Sequence, residues 1–184
     1  MNDLLLVVEP LIPALRRYAR ALLRDREIAD ELVQDCLERV ISRWGQRRNA
    51  DDTRQWVFAI LHNLAINRLR QRTRRGPHLA MEDIDEADLS TPAPQEHSVT
   101  NSELMRALDL LPEDQRAVLL LVSVEDMSYA DAAKTLDIPI GTVMSRLSRA
   151  RQRVHRMLDG VDPMPSTSVP EIGNPTRPAL RRLK

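Results

Sequence analysis

The sequence predicts an all-α protein of two small helical domains joined by a flexible acidic linker. Three observations carry that prediction. Ala, Leu and Arg, which are good helix formers, dominate a chain with only two Trp, two Tyr and one Phe, too few aromatics for a typical β-sandwich. Apolar residues recur at helical rather than alternating spacing, and no segment carries a strand signal. Between two blocks of helical pattern lies a stretch, residues 77–99, with three Pro, a run of acids and few apolar residues.

Leu11 to Leu23 reads as a helix after Pro10 and Pro13. Ile28 to Trp44 reads as a second: Leu32, Cys36, Val40 and Trp44 recur every fourth position, with Val33, Leu37 and Ile41 beside them. Its other face carries Asp30, Gln34, Asp35 and Glu38. A third helix runs from about Thr53 to Arg74, with Trp56, Ile60 and Leu64 on one ridge and Val57 and Leu61 on the next; Gly76-Pro77 stops it. Helical pattern resumes near Asn101. Pro112-Glu113 restarts it at an N1-like position, and "AVLLLV" is the buried segment of that helix.

The most informative stretch is "SYADAAKTLDIPIGTVMSRLSRARQRV", residues 128–154. Ser128 is a natural N-cap for a short helix from Tyr129 to Leu136, with Ala132, Ala133 and Leu136 facing inward. Asp137 sits at the corner, where it tolerates the left-handed conformation better than most residues. Pro139 suits the start of the next helix. There Val143, Leu147 and Ala150 form a buried stripe, leaving Thr142, Ser145, Arg146, Ser148 and Arg149 outward. This is the pattern of a helix-turn-helix whose second helix enters the major groove. The alternative is an ordinary solvated helix. Against it stands the charge pattern, because a solvated helix normally mixes both signs at i,i+4.

Formal net charge is zero, yet the charges are sorted. Nine Arg face two Asp between Arg43 and Arg75, five Arg face no acid between Gly141 and Met157, and seven acids face no Lys or Arg between Met81 and Glu103. Basic faces with an intervening acidic segment fit a polyanionic partner. The single Cys36 excludes a disulfide framework and fits a reducing, cytoplasmic setting. The longest apolar run, Ala117 to Val122, is far too short to insert in a membrane. His62, His78, His97 and His155 have no metal-ligand spacing, and no phosphate loop or nucleophile–base pair is present. No enzyme activity, cofactor or metal is expected.

The segment "LPEDQRAVLLLVSVEDMSYADAAKTLDIPIGTVMSRLSRARQRV" resembles region 4 of the extracytoplasmic-function (ECF) sigma factors of the sigma-70 superfamily. "REIADELVQDCLERVISRW" resembles their region 2.2, and "TRQWVFAILHNLAINRLRQRTRR" their regions 2.3 and 2.4. The resemblance covers about residues 10–157, in the family's order. It implies residues 1–76 as a region 2 domain, 77–99 as linker, 100–159 as a region 4 helix-turn-helix domain and 160–184 as a Pro-rich disordered tail. The implied partners are core RNA polymerase (β′ clamp helices and β flap), promoter DNA and an anti-sigma factor.

Carried over residue by residue, the resemblance places Asp30, Gln34, Asp35 and Glu38 on the polymerase-binding face. Asn63 takes the position that captures a flipped −10 base, and Asn67, Arg68, Arg70 and Arg72 continue the −10 surface. Met144, Ser145, Ser148 and Arg149 fall at −35 reading positions, flanked by Thr142, Arg146 and Arg153. The basic end of the third helix fits either phosphate contact or simple complementation of the helix dipole. Three departures stand out: Asp137 where Gly is common, Met144 where Lys or Arg is common, and Cys36 where Thr, Val or Ala is common. A linker of about 23 residues reaches at most roughly 75 Å, enough for promoter elements about 50 Å apart. A stand-alone helix-turn-helix regulator and a sigma-like decoy that titrates an anti-sigma protein remain the competing readings.

Overall fold

The computed structural model describes residues 2–46, 52–75 and 101–159. The expected linker and Pro-rich tail lie outside the described residues. Eight α-helices occur among those described, with short 3-10 turns at Glu9–Leu11 and Trp44–Gln46. The N-terminal half holds α1 (Asn2–Val8), α2 (Ile12–Leu23), α3 (Arg26–Ser42) and α4 (Thr53–Arg75). The C-terminal half holds α5 (Asn101–Asp109), α6 (Glu113–Ser123), α7 (Tyr129–Leu136) and α8 (Ile140–Leu158). None of these helices is long and apolar enough to cross a membrane.

Local chemistry explains the boundaries. Asp25 caps α3 by accepting the Ile28 amide at 3.0 Å, two residues earlier than the periodicity placed the helix start. Arg24 ends α2 in the left-handed region with φ 59°. Pro112 and Pro139 are N-caps of α6 and α8 rather than first helical residues, both with ψ near 145°. Helix α1 was not expected from the sequence.

Two elements depart from the expected apolar stripes. Ile41, grouped with Val33 and Leu37, is 61% exposed. A step of four residues turns a helix by about 400°, so each repeat drifts about 40° and the third member rotates off the core. Trp44 lies beyond the end of α3 and pairs with Trp56, their ring centroids 6.5 Å apart. In α4 the buried surface is wider than one stripe and adds Phe58 and Ala65, because this helix packs against α2, α3 and α7.

The two halves share one contiguous core. Helix α2 packs on α6 and α4 packs on α7. Arg116 of α6 is among the largest fully buried side chains and holds the junction. Its Nε donates to the Leu108 carbonyl at 2.8 Å and its Nη2 to those of Asp109 and Leu111 at 3.0 and 2.7 Å. Its Nη1 donates to the Leu22 carbonyl at 3.1 Å, across the junction. These acceptors sit at or just past the C-terminal ends of α5 and α2, where carbonyls lack helical partners, although Leu108 also accepts the Leu111 amide at 3.2 Å, so one planar guanidinium serves as a cap for both helices.

Candidate functional site

Two surfaces carry the residues singled out by sequence. The first is the polar face of α3. Gln34, Asp35 and Glu38 are exposed there, and Gln34 Nε2 donates to Glu38 Oε1 at 3.4 Å. Asp30 sits at the edge of this face and is already engaged: Arg20 of α2 reaches its two carboxylate oxygens at 3.0 and 2.8 Å. The Arg20 hydrogen bond holds the Asp30 carboxyl below the usual carboxylate range, against partial desolvation. Opposite this face Cys36 is buried in the core, its Sγ 3.6 Å from the Val57 carbonyl, and burial pushes the thiol up to about 12. A thiol so placed packs as a small hydrophobe rather than reacting.

The second surface is basic and comes from two helices. On α4, Asn63 and Asn67 are exposed one turn apart, followed by exposed Arg70 and Arg72. Arg68 is half-buried and lies 4.0 Å from Glu31, and Arg72 lies 4.0 Å from Asp25. Both separations are at the limit for an ion pair and leave these cations available to phosphate. Next to Asn63, His62 is turned inward. Its Nδ1 is 2.9 Å from the Tyr18 hydroxyl, and burial, with Arg146 and Arg70 nearby, lowers it to about 4.

The helix-turn-helix forms as the sequence predicts. Ser128 accepts the Asp131 amide at 3.1 Å, Asp137 adopts φ 53° at the corner, and Val143, Leu147 and Ala150 are buried. The outward face of α8 is less uniform than expected. Met144, Ser148 and Arg149 are exposed, while Thr142, Ser145, Arg146 and Arg153 are half-buried. Ser145 Oγ donates to the Thr142 carbonyl at 3.1 Å, so its hydroxyl is satisfied within the helix. Arg146 is drawn back onto Asp114 of α6 at 3.1 Å. Ile140, at 46% exposed, lies one turn before Met144, at 48%, and gives the start of α8 an apolar character that the motif does not mark. Among the described residues no group of His, Cys, Asp and Glu is placed to hold a metal ion.

Sequence reasoning missed a third cluster. Glu125, in the loop between α6 and α7, is buried between Arg17 of α2 and Arg54 of α4. No sequence signal distinguishes it, since "VEDMS" reads as a polar connection.

Both halves of the chain match known family models. Residues 8–62 match the family described as the Sigma2 domain of PhyR, and residues 101–154 match Sigma-70, region 4. The chain is 34% identical over 156 residues to the ECF RNA polymerase sigma factor EcfG of Rhodopseudomonas palustris, covering 82% of this chain and 83% of that one. It is 34% identical over 144 residues to the ECF RNA polymerase sigma factor SigM of Mycobacterium tuberculosis, covering 78% and 71%. Among solved structures, the sigma factor RpoE in complex with the anti-sigma factor NepR from Bartonella quintana superposes with a TM-score of 0.72 at 30% identity, over 86% of this chain and 98% of that one. The complex of PhyR and NepR from Sphingomonas has the same fold, with a TM-score of 0.61 at 19% identity.

Proposed function

Because the chain belongs to the extracytoplasmic-function family of RNA polymerase sigma factors, we propose that it binds core RNA polymerase, recognises −10 and −35 promoter elements and starts transcription under the control of an anti-sigma protein. The observation that carries this reading is the coexistence of two surfaces in one chain: an exposed polar stripe on α3 and a basic helix-turn-helix with exposed Ser148 and Arg149. A stand-alone regulator would need only the second. We assign Gln34, Asp35 and Glu38 to the polymerase clamp, with Asp30 steadied by Arg20 at their edge. Asn63 and Asn67 take −10 bases, since a side-chain amide offers both donors and an acceptor to an unstacked base. Arg68, Arg70 and Arg72 take the adjacent phosphates. Met144, Ser148 and Arg149 face −35 base edges, flanked by Thr142, Ser145 and Arg146, and Arg153 lies where the helix leaves the groove.

A second reading is supported by the match of residues 8–62 to the Sigma2 domain of PhyR, since the anti-anti-sigma factor PhyR from Bartonella quintana shares this fold. In that reading the chain would sequester an anti-sigma protein and read no DNA. The acid-free arginine run of α8 favours the first reading. Run-off transcription with core polymerase, with and without this protein, separates them: promoter-dependent product supports the sigma reading, and its absence supports the decoy.

Three outcomes are expected from the residue assignments. Gln34→Ala with Asp35→Ala should weaken co-purification with core polymerase while leaving the helical circular dichroism unchanged; undiminished binding would move the interface off α3. Arg149→Ala should cost about 1–3 kcal/mol of discrimination among −35 variants, the worth of a bidentate contact to guanine. Arg153→Ala should weaken all promoters alike and reduce the salt slope by about 0.9 for each phosphate no longer neutralised. An unchanged ranking of −35 variants in Arg149→Ala would remove the groove assignment of α8.

A further inference from the structure

The contacts of Glu125 do not belong to either proposed binding surface. Its side chain has 0% exposure, and Arg17 Nε and Nη2 meet its two carboxylate oxygens, each at 2.9 Å. Arg54 Nη2 donates to the Glu125 carbonyl at 2.6 Å and lies 3.4 Å from its Oε2. Both arginines come from the N-terminal half, 108 and 71 residues away in sequence. The loop is shaped to present the carboxylate. Asp126 takes φ 51°, and the amides of Glu125 and Met127 bond back to the carbonyls of Leu120 and Leu121 at 3.0 Å. The left-handed residue reverses the chain so that Glu125 points into the junction while Asp126 stays in water.

We propose that Glu125, clamped by Arg17 and Arg54, is an intramolecular latch that holds the two halves of the free chain closed and must release before both promoter elements can be read together. In the closed chain α4 packs on α7 and α7 on α8. Helix α8 also lies near α4, since the Arg146 charge on α8 helps lower His62 of α4. The promoter elements are about 50 Å apart along the duplex, so one closed molecule does not span them. The chemistry of the contact suits a latch. A buried carboxylate is costly unless its charge partners arrive together, and a buried ion pair adds specificity of arrangement more than net stability. On separation, Glu125 and both arginines return to water, so no charge is stranded, and the partner that opens the junction has to offset the shared core and the Arg116–Leu22 bond.

The inference rests on the sigma reading only for the consequence of opening; closure itself is measured on the isolated full-length chain. Nitroxide labels at Glu27→Cys and Gln152→Cys, both exposed positions on opposite halves, report the separation by pulsed dipolar spectroscopy, and the buried Cys36 stays unlabelled. Without the latch substitutions, the labelled chain should give one narrow distance. Arg17→Ala with Arg54→Ala strands the buried carboxylate and should lower the closed-to-open ratio roughly a hundredfold or more. Glu125→Ala should open the chain less, because the two arginine side chains are already 53% and 43% exposed and remain hydrated. Circular dichroism of equal helicity confirms that each half stays folded. A broad distribution in the chain carrying the labels alone, or a narrow one retained in the double arginine variant, overturns the latch. In run-off transcription the double variant should reach half-maximal product at a protein concentration lower by about tenfold or more, since the apparent affinity scales with the competent fraction. An opened variant that transcribes with unchanged concentration dependence overturns the gating role.

Discussion

Arg116→Met is expected to destabilise the protein by about 3 kcal/mol, the order expected when several buried carbonyls lose their donor. The methionine fills similar volume but donates nothing. The carbonyls of Leu22, Leu108, Asp109 and Leu111 lose the guanidinium that serves them at 2.7 to 3.1 Å. Each buried acceptor left without a donor costs about 1–3 kcal/mol, Leu108 excepted because it keeps the Leu111 amide at 3.2 Å, and the loss is offset in part because the cation no longer has to be desolvated. Arg116→Lys should recover only part of the loss. An ammonium carries charge to the same place, but its three donors do not match a planar fork reaching two helix ends. Urea denaturation followed by circular dichroism checks both variants. A loss below about 1 kcal/mol for Arg116→Met would mean that the carbonyls find other donors and that the junction does not depend on this side chain.

Stability is also expected to fall by about 3 kcal/mol between pH 7 and pH 4 through His62 alone. Burial, with the Arg146 and Arg70 charges behind it, lowers this imidazole to about 4. The ordinary value in an unfolded chain is about 6.5. Below that pH the unfolded chain binds a proton that the folded chain refuses, so stability falls as pH falls, and levels off once the folded imidazole also titrates. Burial raises the Tyr18 hydroxyl above its ordinary range, so it stays protonated and shares a hydrogen bond of 2.9 Å with Nδ1 of the neutral imidazole. His62→Gln keeps an acceptor for Tyr18 and has no proton to gain. Its stability should therefore be flatter than that of the wild type between pH 4 and 6.5. Asp30, held low by Arg20, contributes in a lower window, losing its stabilisation as pH falls through its own depressed range. Parallel wild-type and His62→Gln profiles from pH 4 to 7 would show that His62 is not the titrating group.

Helix identity was legible wherever caps and periodicity agreed. Ser128, the Asp137 corner and the stripe of Val143, Leu147 and Ala150 are all legible because each is a local rule: a hydroxyl bonding an amide three residues on, a tolerated left-handed corner, and a helical repeat. The Asp25 cap is equally local, but apolar spacing, rather than capping, set the expected start of its helix. The polar stripe of α3 could be drawn from sequence, but not the pairing of Asp30 with Arg20, since their hydrogen bond needs α2 and α3 side by side. On α8 the sequence named the outward residues. It did not show that Asp114 draws Arg146 aside while Arg149 stays exposed.

The sequence by itself determined the all-α class, the order of the two helical halves, the helix-turn-helix and the membership in the sigma-factor family. These follow from propensity, period and motif, all of which act over a few residues to a few turns. Only the tertiary structure decided that the halves share one core, that Arg116 closes two helix ends and that Glu125 lies in 0% exposure between Arg17 and Arg54. A carboxylate in a short polar loop and two arginines on distant helices each look solvated when read alone. Their burial arises from packing α2 on α6 and α4 on α7, where removal from water favours the groups only as a set, and no local pattern encodes a set assembled across 108 residues.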